Sequence, residues 1–203
     1  IQPWPLQAPD ACPATPIVLL SWFDGIGTAA HALRTLGAWV VHHVVWEVDP
    51  ACRALLGHHW PQAHLRGSFY DDASDTIATH VSKGMAEAKA AGSTKPALVL
   101  ATAGPPCPDF SRVKGARAAG RSGPGGRKFL DFVNMHLDPL RNHCKKSGVA
   151  FTFLIENVVM SNDNREHFDD ALQCHSFVCE ASDLGPVRRP RLWWTNVEQE
   201  LHD

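Results

Sequence analysis

Apolar residues along this chain fall into short unbroken runs, each followed by Gly, Asp or Pro and then by a stretch with helical spacing. The first, "IVLLSWF" (Ile17 to Phe23), is of strand length and has no alternation, which predicts a strand buried on both faces. In "DGIGTAAHALRTLG" turn residues pass into an Ala/Leu-rich helix ended by Gly37. "WVVHHVVW" predicts a second strand, and "DPACRALLGHHW" a helix with Asp49 as N-cap and Pro50 in its first turn. The alternation continues: "HLRGSF" as a short third strand, a helix over 72–92, "ALVLATA" as a fourth strand, a helix over 128–146, "AFTFLIENV" as a fifth strand, and a helix over 164–174. "HSFVCEASDL" and "RLWWTNV" close the chain as two strands with no helix between them. The pattern predicts an α/β fold with a doubly wound, mostly parallel sheet and an antiparallel hairpin at one edge.

With 203 residues, 44% of them hydrophobic, the chain can bury the core of one sizeable domain, preceded by an extended Pro-rich lead-in over residues 1–16. A net charge of -2 and a pI near 6.7 exclude a uniformly basic nucleic-acid coat, so anion binding requires a local patch. The loop after the fourth strand supplies one. Arg112, Lys114, Arg117, Arg121, Arg127 and Lys128 lie there without an acidic residue between them, either as a phosphate-contacting loop or as a solvated basic one.

The six cysteines form no C-x-x-C pair, and the His doublets at 42/43 and 58/59 lack matching thiols, which argues against a zinc site. Scattered cysteines in a domain with an ample core point to a reducing compartment. No apolar run approaches the roughly 20 residues of a membrane span, and the N-terminus has no signal-peptide core. The expected location is intracellular: the nucleus of a eukaryote, otherwise the cytoplasm.

In a doubly wound sheet, ligands bind outside the carboxyl ends of the strands. After the first strand stands Gly25-x-Gly27, and Glu47 ends the second, 20 residues past Gly27. This arrangement suits NAD and S-adenosylmethionine alike, and also a plain tight turn. After the fourth strand Cys107 follows Pro105 and Pro106, whose fixed φ and missing N–H groups present the thiol on a stiff lead, although a single cysteine is most often a buried filler. Glu156 follows the apolar "FTFLI", either as a carboxyl with raised pKa that donates to a ring nitrogen, or as one half of a salt bridge. In "VRRPRLWW", Arg189 and Arg191 fall on one side of an extended segment, as anion or carbonyl forks or as a basic turn.

The segments "FDGIGTAAHALRTLG", "WEVDPACRAL", "GPPCPDFSRV", "GPGGRKFLDF", "FLIENVV" and "RRPRLWWTN", in this order, resemble the cytosine-5 methyltransferases of nucleic acids, and most closely the catalytic core of animal de novo DNA methyltransferases. The resemblance runs from about Val18 to Asn196. It implies a Rossmann-like methyltransferase core over 17–203 without the family's target-recognition region and completing C-terminal segment. It also implies S-adenosylmethionine as cofactor, S-adenosylhomocysteine as product and DNA as partner, with the pocket either that of a minimal enzyme or one completed by a further segment, a second copy or a partner subunit.

By that resemblance Cys107 is the nucleophile that adds to C6 of a flipped-out cytosine, and Glu156 donates to N3. Arg189 holds the O2 carbonyl with Arg191 in support. Phe23, Asp24, Gly25, Gly27 and Thr28 take the methionine end of the cofactor, Glu47 the ribose, and Val48, Ser68, Phe69 and Pro105 complete its site. Ser111 joins the basic loop residues in contacting nucleic acid. Ser68 stands where the family usually has Asp, with Asp71 and Asp72 as the nearest carboxylates, and Pro108 where it has Gln or Asn. A tRNA cytosine-5 methyltransferase uses much the same catalytic set, and a regulatory scaffold that binds an active enzyme is the non-catalytic alternative. An NAD oxidoreductase would leave Cys107, "ENV" and "RPR" unexplained.

Overall fold

Seven strands form one mixed sheet in the order β3-β2-β1-β4-β5-β7-β6 in a computed structural model that describes residues 15–110, 120–183 and 185–197. These are β1 (Ile17–Trp22), β2 (Val40–Trp46), β3 (His64–Arg66), β4 (Leu98–Ala103), β5 (Phe151–Val158), β6 (Phe177–Glu180) and β7 (Pro190–Thr195). β1 pairs parallel with β2, and β2 with β3. β7 runs antiparallel to both β5 and β6, so the closing hairpin sits at the sheet edge as the sequence predicts. The helices are α1 (Thr28–Thr35), α2 (Pro50–His59), α3 (Ser74–Ala90), α4 (Pro124–Phe132), α5 (Asp138–Ser147) and α6 (Asn162–Leu172). Together they give a Rossmann-like α/β fold.

The chain divides into two compact units, Ile1–Thr102 with Met135–Thr152, and Ala103–Asn134 with Phe153–Asp203. In the first, Leu19, Ala30, Val40, Val45, Leu56 and Trp60 pack as one buried cluster. α3 lies tight on the sheet because Gly84 has no side chain: a Cβ there would stand 2.4 Å from Val18 Cγ2. α2 starts as predicted, with Asp49 accepting from the Cys52 N–H at 2.9 Å and Pro50 in its first turn.

The second unit is centred on Phe168. Its ring stacks on Phe129 at 3.7 Å, meets Phe110 edge-on at 5.0 Å, and lies 5.2 Å from Trp194. Truncating a ring so enclosed costs about 3–5 kcal/mol.

Two elements differ from the sequence pattern. The helix predicted over 128–146 begins at Pro124 and is interrupted by a π turn, Val133–Leu137, before α5. Pro139 has no N–H for the carbonyl four residues back, so the ladder is broken there. The third strand stops at Arg66, because Ser68 caps a 3-10 turn (Phe69–Asp71) by accepting from Tyr70 N.

Candidate active site

The expected cofactor residues up to Phe69 all lie in the first unit, at the carboxyl ends of β1, β2 and β3. Phe23 leaves β1 with a positive φ of 53° and donates its N–H to Trp46 O at 2.9 Å. Its ring meets Phe69 edge-on at 5.4 Å, which brings together two residues 46 positions apart in the chain. Glu47 ends β2, and its Oε2 accepts from the Gly25 N–H at 2.8 Å while Oε1 accepts from Val48 N and Asp49 N, both at 2.8 Å. Of the roughly four acceptor positions on a carboxylate, about one remains, enough for a single ribose hydroxyl.

The two glycines of the first loop have different tasks. At Gly25, φ +59°, an added Cβ would meet nothing within 4 Å, so this is the open cradle. At Gly27, φ +86°, a Cβ would stand 2.6 Å from Trp60 Nε1 and 2.9 Å from Leu56 Cδ2; its bareness serves packing against α2. Thr28, exposed, opens α1, whose N-terminus has no side-chain cap and no acidic residue in its first turn. Such a terminus favours an anion.

Beside it, Asp24 carries a buried Oδ2 with no hydrogen-bond partner, and burial together with the Glu47 carboxylate pushes its pKa up to about 7. A buried carboxylate oxygen without a donor, next to a helix terminus without an anion, matches the ammonium and carboxylate of an amino-acid moiety. The residues present thus fit the methionine end of S-adenosylmethionine.

Val48 is 66% exposed at the mouth of this loop, whereas Phe69 is buried. Ser68 Oγ is engaged with Tyr70 N. Asp72 is no substitute for the missing Asp: it is buried, accepts from Trp46 Nε1 at 2.6 Å, and pairs with Arg66 through Nε at 2.9 Å and through Nη2. The Arg66 hydrogen bond holds its carboxyl below the usual range. Asp71 is exposed.

The expected catalytic residues, with Pro105, belong to the second unit. Cys107 is a free, half-buried thiol in the loop after β4, and its carbonyl closes a turn by accepting from Phe110 N at 3.0 Å. Pro105 is buried, and its carbonyl accepts from the side-chain amide of Asn157 at 3.4 Å. Asn157, 1% exposed, neighbours Glu156 on β5, so one hydrogen bond ties the thiol-bearing loop to the strand that carries the carboxylate. The other side of the loop is tied by Asp109, whose Oδ2 accepts from Gly125 N at 2.7 Å. α4 approaches so closely there that a Cβ on Gly125 would lie 2.9 Å from Pro106 O.

Glu156 is paired rather than alone: Arg191 Nε meets its Oε1 at 2.6 Å. Strand register explains the choice of arginine. Val158 faces Arg191 across the β5–β7 ladder, two positions along from Glu156, whereas Arg189 precedes β7 and is exposed, its backbone N–H donating to Glu180 Oε1 at 2.5 Å.

Of the expected nucleic-acid contacts, Arg127 and Lys128 are exposed on α4, and Arg121 falls in a 3-10 turn, Gly120–Ser122. Ser111, Arg112, Lys114 and Arg117 lie outside the described residues. Asn157 and Asp109, which set the loop, escaped the sequence reading as separate agents. Their signal was present in the "ENV" and "CPDF" segments, but a hydrogen bond to a carbonyl 52 residues away leaves no spacing rule to find it.

The fold is shared with known methyltransferases. The chain is similar to the crystal structure of S. pombe Dnmt2 methyltransferase, with a TM-score of 0.61 and 16% identity over 92% of this chain and 52% of that one. It is also similar to the crystal structure of a Spodoptera frugiperda DNMT2 triple mutant, with a TM-score of 0.54 and 22% identity over 90% of this chain and 49% of that one. The chain therefore spans about half the length of the structures it matches. No family model matches it.

Proposed function

We propose that this chain is the catalytic core of a cytosine-5 methyltransferase that acts on DNA. The observation that carries the reading is the joined set in the second unit: Cys107 on a loop tethered through Pro105 to Asn157, and beside Asn157 the Glu156 carboxylate held by Arg191 at 2.6 Å. Motif order along the chain supports the animal de novo enzymes as the nearest relatives within that class.

The Cys107 thiolate adds to C6 of the target cytosine, forming the S–C6 bond and raising electron density at C5. S-adenosylmethionine, when bound, supplies an electrophilic methyl group for C5. Arg191 occupies one oxygen of Glu156, and the other, Oε2, delivers a proton to N3 as the S–C6 bond forms and takes it back when that bond breaks, offsetting the charge that develops on the ring. A water takes the C5 proton, the S–C6 bond breaks, and the thiolate is restored. Phe23, Asp24, Gly25, Thr28 and Glu47 hold the cofactor. Extruding the base from a duplex costs a few kcal/mol, which phosphate contacts from Arg127, Lys128 and the adjoining basic loop offset.

The test is transfer of labelled methyl from S-adenosylmethionine to cytosine-containing duplex DNA and to a tRNA transcript, with Cys107→Ser alongside. Labelled DNA from the parent protein and a loss of at least about 1000-fold in the variant are expected. Labelling of tRNA alone would move the substrate to RNA. Cofactor binding with no transfer to either would point to a requirement for a further segment or partner, and absence of both would favour the scaffold.

A further inference from the structure

His136 belongs to none of the motifs above, yet it is wholly buried in the π turn Val133–Leu137 and both of its ring nitrogens are engaged. Trp22 Nε1 donates to its Nδ1 at 3.2 Å, and its Nε2 meets the carbonyl oxygen of Phe69 at 2.7 Å. An indole N–H can only donate and a carbonyl can only accept, so the ring is held as the neutral tautomer with its proton on Nε2. The other hydrogen bond to Phe69 O, from Asp72 N, is 3.4 Å long, which leaves His136 as the principal partner of that carbonyl.

The relay continues on its far side. Trp22 lies flat on Trp46, centroids 4.5 Å apart and planes 2° from parallel. Trp46 Nε1 donates to Asp72 at 2.6 Å, and Arg66 grips the same carboxylate. The 3-10 turn Phe69–Asp71 is thus clamped at its first carbonyl by His136 and just past its end by Trp46 and Arg66. Trp22 directly precedes Phe23, whose ring meets Phe69. Hydrogen bonds joined by the Trp22–Trp46 stack therefore back the two aromatic residues that meet, Phe23 and Phe69. A buried network of this kind is costly unless every member is satisfied. An apolar residue at 136 would fill space equally well but would leave the Phe69 carbonyl with only the long hydrogen bond from Asp72 N.

We infer that His136 is a positioning residue for the cofactor: by holding the Phe69 carbonyl it fixes the Ser68–Tyr70 segment against Phe23 and thereby sets affinity for S-adenosylmethionine. This rests on the function proposed above.

Two substitutions separate the halves of the relay. In His136→Gln an amide N–H can reach the Phe69 carbonyl, as Nε2 does; in His136→Asn the shorter side chain can accept from Trp22 but falls short of Phe69. Calorimetry with S-adenosylhomocysteine is expected to show the Gln variant within about threefold of the parent and the Asn variant weaker by about tenfold, the scale of one lost buried hydrogen bond. At saturating cofactor kcat should be the same in all three, so the loss appears in KM alone. In the cofactor-free chain, hydrogen exchange at the amides of residues 69–72 should be faster in the Asn variant than in Gln. Trp22→Phe, which removes the donor that fixes the tautomer, should weaken binding in the same direction, and it serves as the test if His136→Asn does not fold. Equal affinity in the Gln and Asn variants, or equal exchange, overturns the assignment. If the parent protein binds no S-adenosylhomocysteine, the proposed function fails, and the exchange contrast alone still decides whether His136 braces the turn.

Discussion

Arg191 Nε lies 2.6 Å from Glu156 Oε1, and the antiparallel register of β5 with β7 puts it there. Arg189, the first arginine of the pair, precedes β7 and is exposed, and its backbone N–H is spent on Glu180. Methyl transfer should therefore depend on the two arginines in the order opposite to that implied by the motif. Arg191→Ala is expected to lower kcat by about 100-fold, within the range for losing an aligned charge at a reacting group, and Arg189→Ala by no more than a few-fold. Steady-state rates for the two variants check this, and a larger loss at Arg189 would return the carbonyl-binding role to that residue.

The loop after β1 gives a second contrast. Gly25 and Gly27 both have positive φ, so alanine at either carries a backbone cost of about 1–2 kcal/mol. Only at Gly27 does the new methyl also meet Trp60 at 2.6 Å in a packed cluster, while at Gly25 it projects into open space. Gly27→Ala should lower the melting temperature markedly more than Gly25→Ala. Cofactor affinity, measured on the folded fraction, should fall in Gly25→Ala, whose methyl fills the cradle. Thermal melts and calorimetry on the same two proteins separate the effects.

These pairs show what was legible in the sequence and what was not. Strand positions and helix starts follow from local chemistry: an unbroken apolar run such as Ile17–Trp22 has nowhere to go but a buried strand, and Asp49-Pro50 caps whatever helix follows. The same holds for the glycines and the cysteine, which sit at strand ends because a doubly wound sheet exposes function there. The choice between Arg189 and Arg191 depends on a cross-strand register in which Arg191 faces Val158, 33 positions away, which no spacing within "RRPR" contains. The π turn that buries His136, and the three N–H groups that occupy Glu47, arise in the same way from packing and loop closure.

Asp24 makes cofactor binding dependent on pH. Its carboxyl is held near pKa 7 by burial and by Glu47, so it is largely protonated at pH 6 and ionised at pH 8. The ionised form is the one that pairs with an ammonium group. One group titrating at about 7 passes from about a tenth to about nine tenths ionised over that interval, so affinity for S-adenosylhomocysteine should rise about tenfold between pH 6 and pH 8. Asp24→Asn should bind weakly at both values with the slope removed. A flat profile in the parent protein would place the ammonium elsewhere.

Stability should fall on the acid side through the histidines of the first unit. Burial is the first cause in each case: His43, buried with neither ring nitrogen bonded, is lowered to about 3, His80 is lowered to about 4, and His42 is lowered as well. His42 links the group, bonding His80 at 3.0 Å and Glu87 at 2.9 Å. All three are thus neutral in the folded chain at pH values where the unfolded chain, with histidines near 6.5, takes up protons. A depressed folded pKa means that the stabilisation is whole above about 6.5 and is lost as pH falls toward 4 for His80 and lower for His43. The slope contributed by the buried His43 is about 1.4 kcal/mol per pH unit below 6.5. Urea unfolding at pH 7.5, 6.0 and 5.0 should show that decline. His43→Phe keeps an aromatic ring where the imidazole meets Trp60 edge-on and removes the proton acceptor, so it should flatten the decline by about that amount. An unchanged slope in this variant would mean that acid unfolding is driven by other groups.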